Sequence, residues 1–192
     1  MMTMWSRTLV VAAALTAAAT ATAQDPVRDV GGGWTLSPSS DGKGCFVTRA
    51  FPPPRETVLQ FGLDTDGSNR LTLLNANWSI RARERMKLDF RLSNAAFPRH
   101  DAIGIVAEGR RGFVTTFGTT FPRNLATSAF LHVRRGTVRV EELSLAGSGT
   151  AIAALRTCVE RRRAAPPAVS RPGRAAGGIP LDPFAGKAES RK

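Results

Sequence analysis

The sequence predicts an α+β fold: a mostly antiparallel sheet, curled as a β-sandwich or half-barrel, closed by a C-terminal helix and carrying one disulfide. Three observations predict it. Short apolar or alternating segments recur between Asp-Gly, Gly-rich and proline turns from Trp34 to Leu145. The last apolar segment, "GTAIAALRTCVERRR", changes to helical spacing. The chain holds two cysteines, Cys45 and Cys158, which allow a single intramolecular pairing.

Each segment has its own chemistry. Residues 1–23 read as a signal peptide. Arg7 supplies the positive region, Leu9 to Leu15 a short apolar run, and Ala21-Thr22-Ala23 the small residues of a cleavage site. Alanine and threonine dilute that run below what a spanning helix needs. No later stretch is apolar enough for a transmembrane segment. Residues 24–33 read as a flexible N-terminal segment and 34–163 as a single α+β domain. Residues 164–192 read as a disordered basic tail, rich in Pro, Gly and Ala, with too few large apolar side chains to offset its ordering entropy.

Within the domain, "GCFVTRAF" is a strand stopped by Pro52-Pro53-Pro54, since proline donates no ladder hydrogen bond. "TVLQFGL" and "RLTLLN" flank "DTDGSN", whose Asp66-Gly67 pair suits a hairpin turn. "MKLDFRL" places Met86, Leu88, Phe90 and Leu92 on one face, with Lys87, Asp89 and Arg91 on the other. "AIGIVA" and "FVTTF" form a second hairpin through "EGRRG". "FPRNLATSAFLHV" has a proline near its start and apolar residues at helical spacing, so it reads as a helix. "TVRVEELSL" alternates again, directing Val138, Val140, Leu143 and Leu145 inward. In the terminal helix Ile152, Leu155 and Cys158 or Val159 share a stripe, and Arg161 to Arg163 sit where the helix dipole favours cations. Ser148 or Thr150 is the expected cap.

Export makes a Cys45–Cys158 disulfide permissible, stapling the helix to the strand that begins at Cys45. Its loop spans 113 residues in sequence. Chain entropy then assigns the link about 4 to 5 kcal/mol, as an upper figure. Neither cysteine has a C-x-x-C partner or a histidine at ligand spacing, so no metal site and no cofactor is expected.

The search for catalytic chemistry assembles no site. "AGSGTA" lacks both the glycine pattern of a dinucleotide loop and the lysine of a phosphate loop, and it is not G-x-S-x-G. Asp64, Asp66 and Asn69 could offer oxygens to calcium. The sixth and twelfth positions of that loop are Asn69 and Asn75, where calcium loops carry Gly and Glu, so a turn explains them better. His100 and His132 stand in separate segments. The expectation is a protein that is not an enzyme, with no catalytic residues.

The formal net charge is +12, and the segment from Glu160 to Lys192 carries eight Lys/Arg against three Asp/Glu. A cationic exported protein is drawn to anionic surfaces. "NWSIRARERMK" offers a place for such contact, with Trp78 followed by Arg81, Arg83, Arg85 and Lys87 at every second position. On a strand these would form a basic stripe with Trp78 as a flat anchor, extended by Arg110 and Arg111 of the neighbouring hairpin. The expected ligand-binding residues are therefore Trp78, Arg81, Arg83, Arg85, Arg110 and Arg111. A solvated outer strand face would show the same pattern.

The stretches "GCFVTRAF", "DGSNRLTLLNANWSI", "GRRGFVTTF" and "LSLAGSGTAIAALRTC" resemble a group of uncharacterised exported (periplasmic) proteins of alphaproteobacteria. The layout is more distantly similar to invasion-associated locus B-like proteins and to cysteine-bridged periplasmic domains of some TonB-type proteins. The resemblance implies fold and compartment and carries over no catalytic residue; the long basic tail departs from it. The expectation is a periplasmic or secreted accessory protein of the cell envelope. Its basic surface would dock to an anionic membrane surface, lipopolysaccharide or an acidic glycan; export argues against nucleic acid, and no nucleic-acid partner is expected. The alternatives are an inhibitor or chaperone-like module for another exported protein, and a small hydrolase.

Overall fold

The computed structural model describes residues 27–164. Residues 1–23, read as a signal peptide, and nearly all of residues 164–192, read as a basic tail, lie outside the described residues.

Ten strands form one sheet in which every neighbouring pair is antiparallel, in the order β1-β2-β3-β4-β5-β8-β7-β6-β9-β10. The first five follow one another: β1 (Arg28–Gly31), β2 (Trp34–Pro38), β3 (Gly44–Phe51), β4 (Thr57–Asp64) and β5 (Asn69–Asn75). Then β6 (Arg85–Leu92), β7 (Ala96–Ala107) and β8 (Arg110–Thr115) fold back, so that β8 rather than β6 pairs with β5. Helix α1 (Phe121–Ala126) leads to β9 (Phe130–Arg135) and β10 (Val138–Ser144), and α2 (Ser148–Ala164) ends the described chain.

The sheet curls on itself. Strands β4 and β10 stand six places apart, about 29 Å in a flat sheet at the usual strand spacing. Yet the Thr57 hydroxyl of β4 donates to the Glu141 carboxylate of β10 at 2.5 Å. Nearby, Trp34 Nε1 donates to the Ala146 carbonyl at 2.9 Å, and Arg49 Nη1 donates to the same oxygen at 2.6 Å. These bonds draw the end of β10 against β2 to β4, giving a half-barrel.

Its interior is the inward register of each strand. Val47 faces Leu36 on one side and Phe61 on the other, and Leu73 faces Phe113, all within 5 % of full burial. In β6, Met86, Leu88, Phe90 and Leu92 are buried as the alternation requires, while Lys87 and Arg91 are exposed. The Asp66-Gly67 turn joins β4 to β5 with Gly67 at φ +88°, the left-handed conformation that such a turn requires. Helix α2 lays Ala151, Ile152, Leu155 and Val159 on this inner face against β1 to β4. Its last turns are bonded to the sheet through Cys45–Cys158, with Cα atoms 6.2 Å apart.

Four expectations require correction. Arg28–Gly31, placed in a flexible segment by the sequence, is an edge strand paired with β2. The helix expected across residues 121–133 stops at Ala126. Ser128 is buried and donates to Asn94 Oδ1 at 2.9 Å. Beyond it Leu131 and Val133 alternate inward opposite Leu92 and Phe90, so sheet pairing overrides helical spacing. Ser148 does not serve as the expected cap; its hydroxyl donates to the Leu125 carbonyl at 2.9 Å, tying α2 to α1. In β10 Val138 pairs with Arg135 at the tip of the hairpin, past a bulge between Arg139 and Glu141 and beyond the covered interior, so it is 64 % exposed instead of buried.

Candidate functional site

The expected basic stripe is not a strand. Residues 76–84 form a loop, and only Arg85 of the arginine series belongs to β6. Arg83 has φ +64°, which turns the chain where a strand would continue. The loop is nevertheless well held. Arg83 N–H donates to the Gly104 carbonyl at 2.8 Å, and Gly104 N–H donates to the Glu84 carbonyl at 2.7 Å. Glycine at 104 permits this contact, because a Cβ there would overlap the Arg81 carbonyl oxygen.

Folded this way, the loop crosses one open end of the half-barrel. Trp78 is half-buried and stacks on Phe113 of the interior, with ring centroids 5.8 Å apart and planes 6° from parallel. Arg81 and Arg83 are exposed. Arg110 and Arg111 open β8, directly after the hairpin turn, and Arg111 Nη1 reaches the Ile80 carbonyl at 3.4 Å. Arg85 is exposed and pairs with Ile103 of β7. The loop therefore gathers Trp78, Arg81, Arg83 and Arg111, although not as a stripe. No direct contact joins Arg110 to the loop among the hydrogen bonds of the described residues.

Two further cations were missed by the sequence reading. Arg135 ends β9 and pairs with Glu84 of the loop at 3.8 Å, while Arg139 of β10 pairs with Glu142 at 3.6 Å. Both line a cleft of about 300 Å³ between the loop and the β9–β10 hairpin. Its floor is the apolar interior at Met86, Leu88 and Phe113, and Trp78 and Ile80 form one wall. The signal for Arg135 is the "RRGT" turn, which a helical reading of residues 121–133 hides, and Arg139 lies in "TVRVEELSL", read for its apolar alternation.

Other candidates resolve into local roles. Asp64 pairs with Arg70 at 3.0 Å, and Asp66 accepts from Ser68 N–H at 2.8 Å. Asn69 turns away from the loop, and its amide exchanges hydrogen bonds with the Phe117 backbone at 3.0 and 3.2 Å. The three oxygen donors thus do not converge, and among the described residues no group of three His, Cys, Asp or Glu is placed to hold a metal ion. His100 stacks on Phe117 with centroids 4.3 Å apart, and its Nε2 lies 2.7 Å from the Thr116 carbonyl. His132 Nε2 is 3.2 Å from Glu142. Among the described residues neither histidine is hydrogen-bonded to a serine or threonine hydroxyl.

Hydrogen bonds hold two exposed carboxylates in the charged form. Asp66 is lowered below its ordinary value chiefly by the Ser68 hydroxyl and N–H. Asp101 is lowered chiefly by its hydrogen bond with Lys87, whose Nζ lies 2.6 Å away.

A solved structure, the invasion associated protein B from Bartonella henselae, shares this fold. The TM-score is 0.51 at 14 % sequence identity, over 68 % of this chain and 95 % of that one. No family model matches the chain, and no curated protein matches it in sequence. The likeness is one of fold. No helix among the described residues is long and apolar enough to cross a membrane.

Proposed function

We propose that this is an exported, periplasmic or secreted protein that works by binding, its basic end docking onto an anionic component of the cell envelope. The observation that carries the reading is the charge around one open end of the half-barrel. Arg81, Arg83, Arg111, Arg135 and Arg139 are all exposed there, on or beside a loop anchored by Trp78, against the two carboxylates Glu84 and Glu142. Exposed cations of this kind attract an anionic surface by about 1 kcal/mol each when held close to it. A half-buried tryptophan beside them adds the amphipathic ring that suits an interface with one wet side.

A stable link between Cys45 and Cys158 suits an oxidising compartment, which agrees with the signal-like residues 1–23. The basic tail adds charge of the same sign.

The test is co-sedimentation with vesicles of phosphatidylglycerol and phosphatidylcholine. Binding should need the anionic lipid and weaken as salt rises. Reversing two charges, Arg81→Glu with Arg83→Glu, should weaken it on the order of tenfold or more. Unchanged binding by that variant would remove the loop from the docking surface, and equal binding to pure phosphatidylcholine would end the electrostatic reading.

A further inference from the structure

The cleft beneath the basic loop combines an apolar lining with cations. Half-buried Trp78, Ile80 and Val140 line an open space of about 300 Å³, with Met86, Leu88 and Phe113, at 7 %, 2 % and 0 % exposure, at its base. The hairpin arm carries a bulge between Arg139 and Glu141, and the long Arg135–Glu84 pair at 3.8 Å ties it to the loop. Apolar side chains also reach the rim, where Val138 stands 64 % exposed between Arg135 and Arg139.

We propose that this cleft is a binding site for a single-chain anionic amphiphile, taken up as a monomer. Its hydrocarbon chain would lie along Trp78, Ile80 and Val140, and its head group would be held by Arg135 and Arg139. The proposal rests on the basic-end reading for the sign of the charge and adds the site, the stoichiometry and the ligand class. Each arginine at present faces one carboxylate at 3.6 to 3.8 Å, long for a charge-assisted bond. A phosphate or carboxylate can therefore compete for both guanidinium groups. The size sets the class further. A cavity of about 300 Å³ lies at the lower end of ligand pockets, which suits one chain better than a two-chain lipid. The apolar floor rejects a purely polar anion, and the arginines reject a cationic amphiphile.

The probes are hexyl, octyl and decyl phosphate below their micelle concentrations, measured by titration calorimetry and by the Trp78 indole N–H resonance. Affinity should rise about fourfold per added methylene until the cleft is full, with one ligand bound per chain. Decyltrimethylammonium should bind at least tenfold more weakly. Val140→Trp, which fills the cleft from β10, should abolish decyl phosphate binding but leave vesicle binding intact. Val140→Phe serves if the larger ring prevents folding. Arg135→Ala with Arg139→Ala should weaken decyl phosphate at least tenfold. Affinity independent of chain length, equal binding of the cationic amphiphile, or unaltered binding by the filled variants would each overturn the proposal. Vesicle binding without decyl phosphate binding removes the cleft alone, whereas loss of both also removes the basic-end reading.

Discussion

Reduction of the disulfide is the perturbation whose size can be worked furthest. Cys45 and Cys158 are buried to 1 % and 7 % exposure and close a loop of 113 residues. Loop-closure entropy assigns such a link about 5 kcal/mol at 25 °C, a large part of the roughly 5 to 15 kcal/mol that holds a typical domain folded. A domain of this size loses about 3 °C of Tm per kcal/mol, so full reduction should lower Tm by about 15 °C. The assay is calorimetry with and without a phosphine reductant, the thiols counted by mass. Reduction leaves side-chain volumes unchanged and is cleaner than truncation; Cys45→Ala with Cys158→Ala should fall further through lost packing. Hydrogen exchange adds a spatial check: protection should fall first in α2 beyond Leu155 and in the first half of β3. A fall of less than about 5 °C with both thiols free would refute the view that the link restrains the unfolded chain.

Two smaller perturbations separate the loop from the sheet. Gly104→Ala forces a methyl group into the Arg81 carbonyl, so loop 76–84 must lift; urea unfolding should show a loss of about 1 to 3 kcal/mol, with Trp78 emission shifting to the red. Asp66 and Asp101 should titrate below 3.8, the ordinary aspartate value, as read by carboxyl-carbon NMR. Because both are depressed in the folded state, their contribution is present above the unfolded value and is lost as pH falls through the folded one. Lys87→Met should return Asp101 to the ordinary range and leave Asp66 where it was.

The parts of the fold that are legible in the sequence are those where local pattern and long-range pairing agree. In β3, β4 and β6 the period-two alternation, the turn residues and the buried register coincide, and the strands lie where the pattern places them. The terminal helix is legible because its stripe, its basic last turn and its cysteine point the same way. Residues 127–133 are the opposite case. Leu125, Ala129 and Val133 fit a helical stripe, but Leu131 and Val133 gain more by completing the ladder with β6, a partner about forty residues earlier in the chain. Local spacing contains no term for that pairing. Strand order carries the same lesson: nothing in the turn between β7 and β8 says that β8 will displace β6 beside β5.

The candidate site was half legible for a related reason. Alternating arginines after Trp78 look like a strand face, yet the stretch must close the end of a barrel, and an arginine at φ +64° with a carbonyl laid on Gly104 accomplishes this without a ladder. The charges still gather, because the loop is exposed and drawn across the opening. The chemistry of the cleft comes from the other wall, where the pairing of β9 with β10 sets Arg135 and Arg139 at the end of one hairpin, facing the loop. Composition could supply the cations and Trp78 could suggest an anchor. Only the curl of the sheet sets an apolar floor under two arginines, and that juxtaposition, rather than total charge, distinguishes a site for an amphiphile from a merely basic surface.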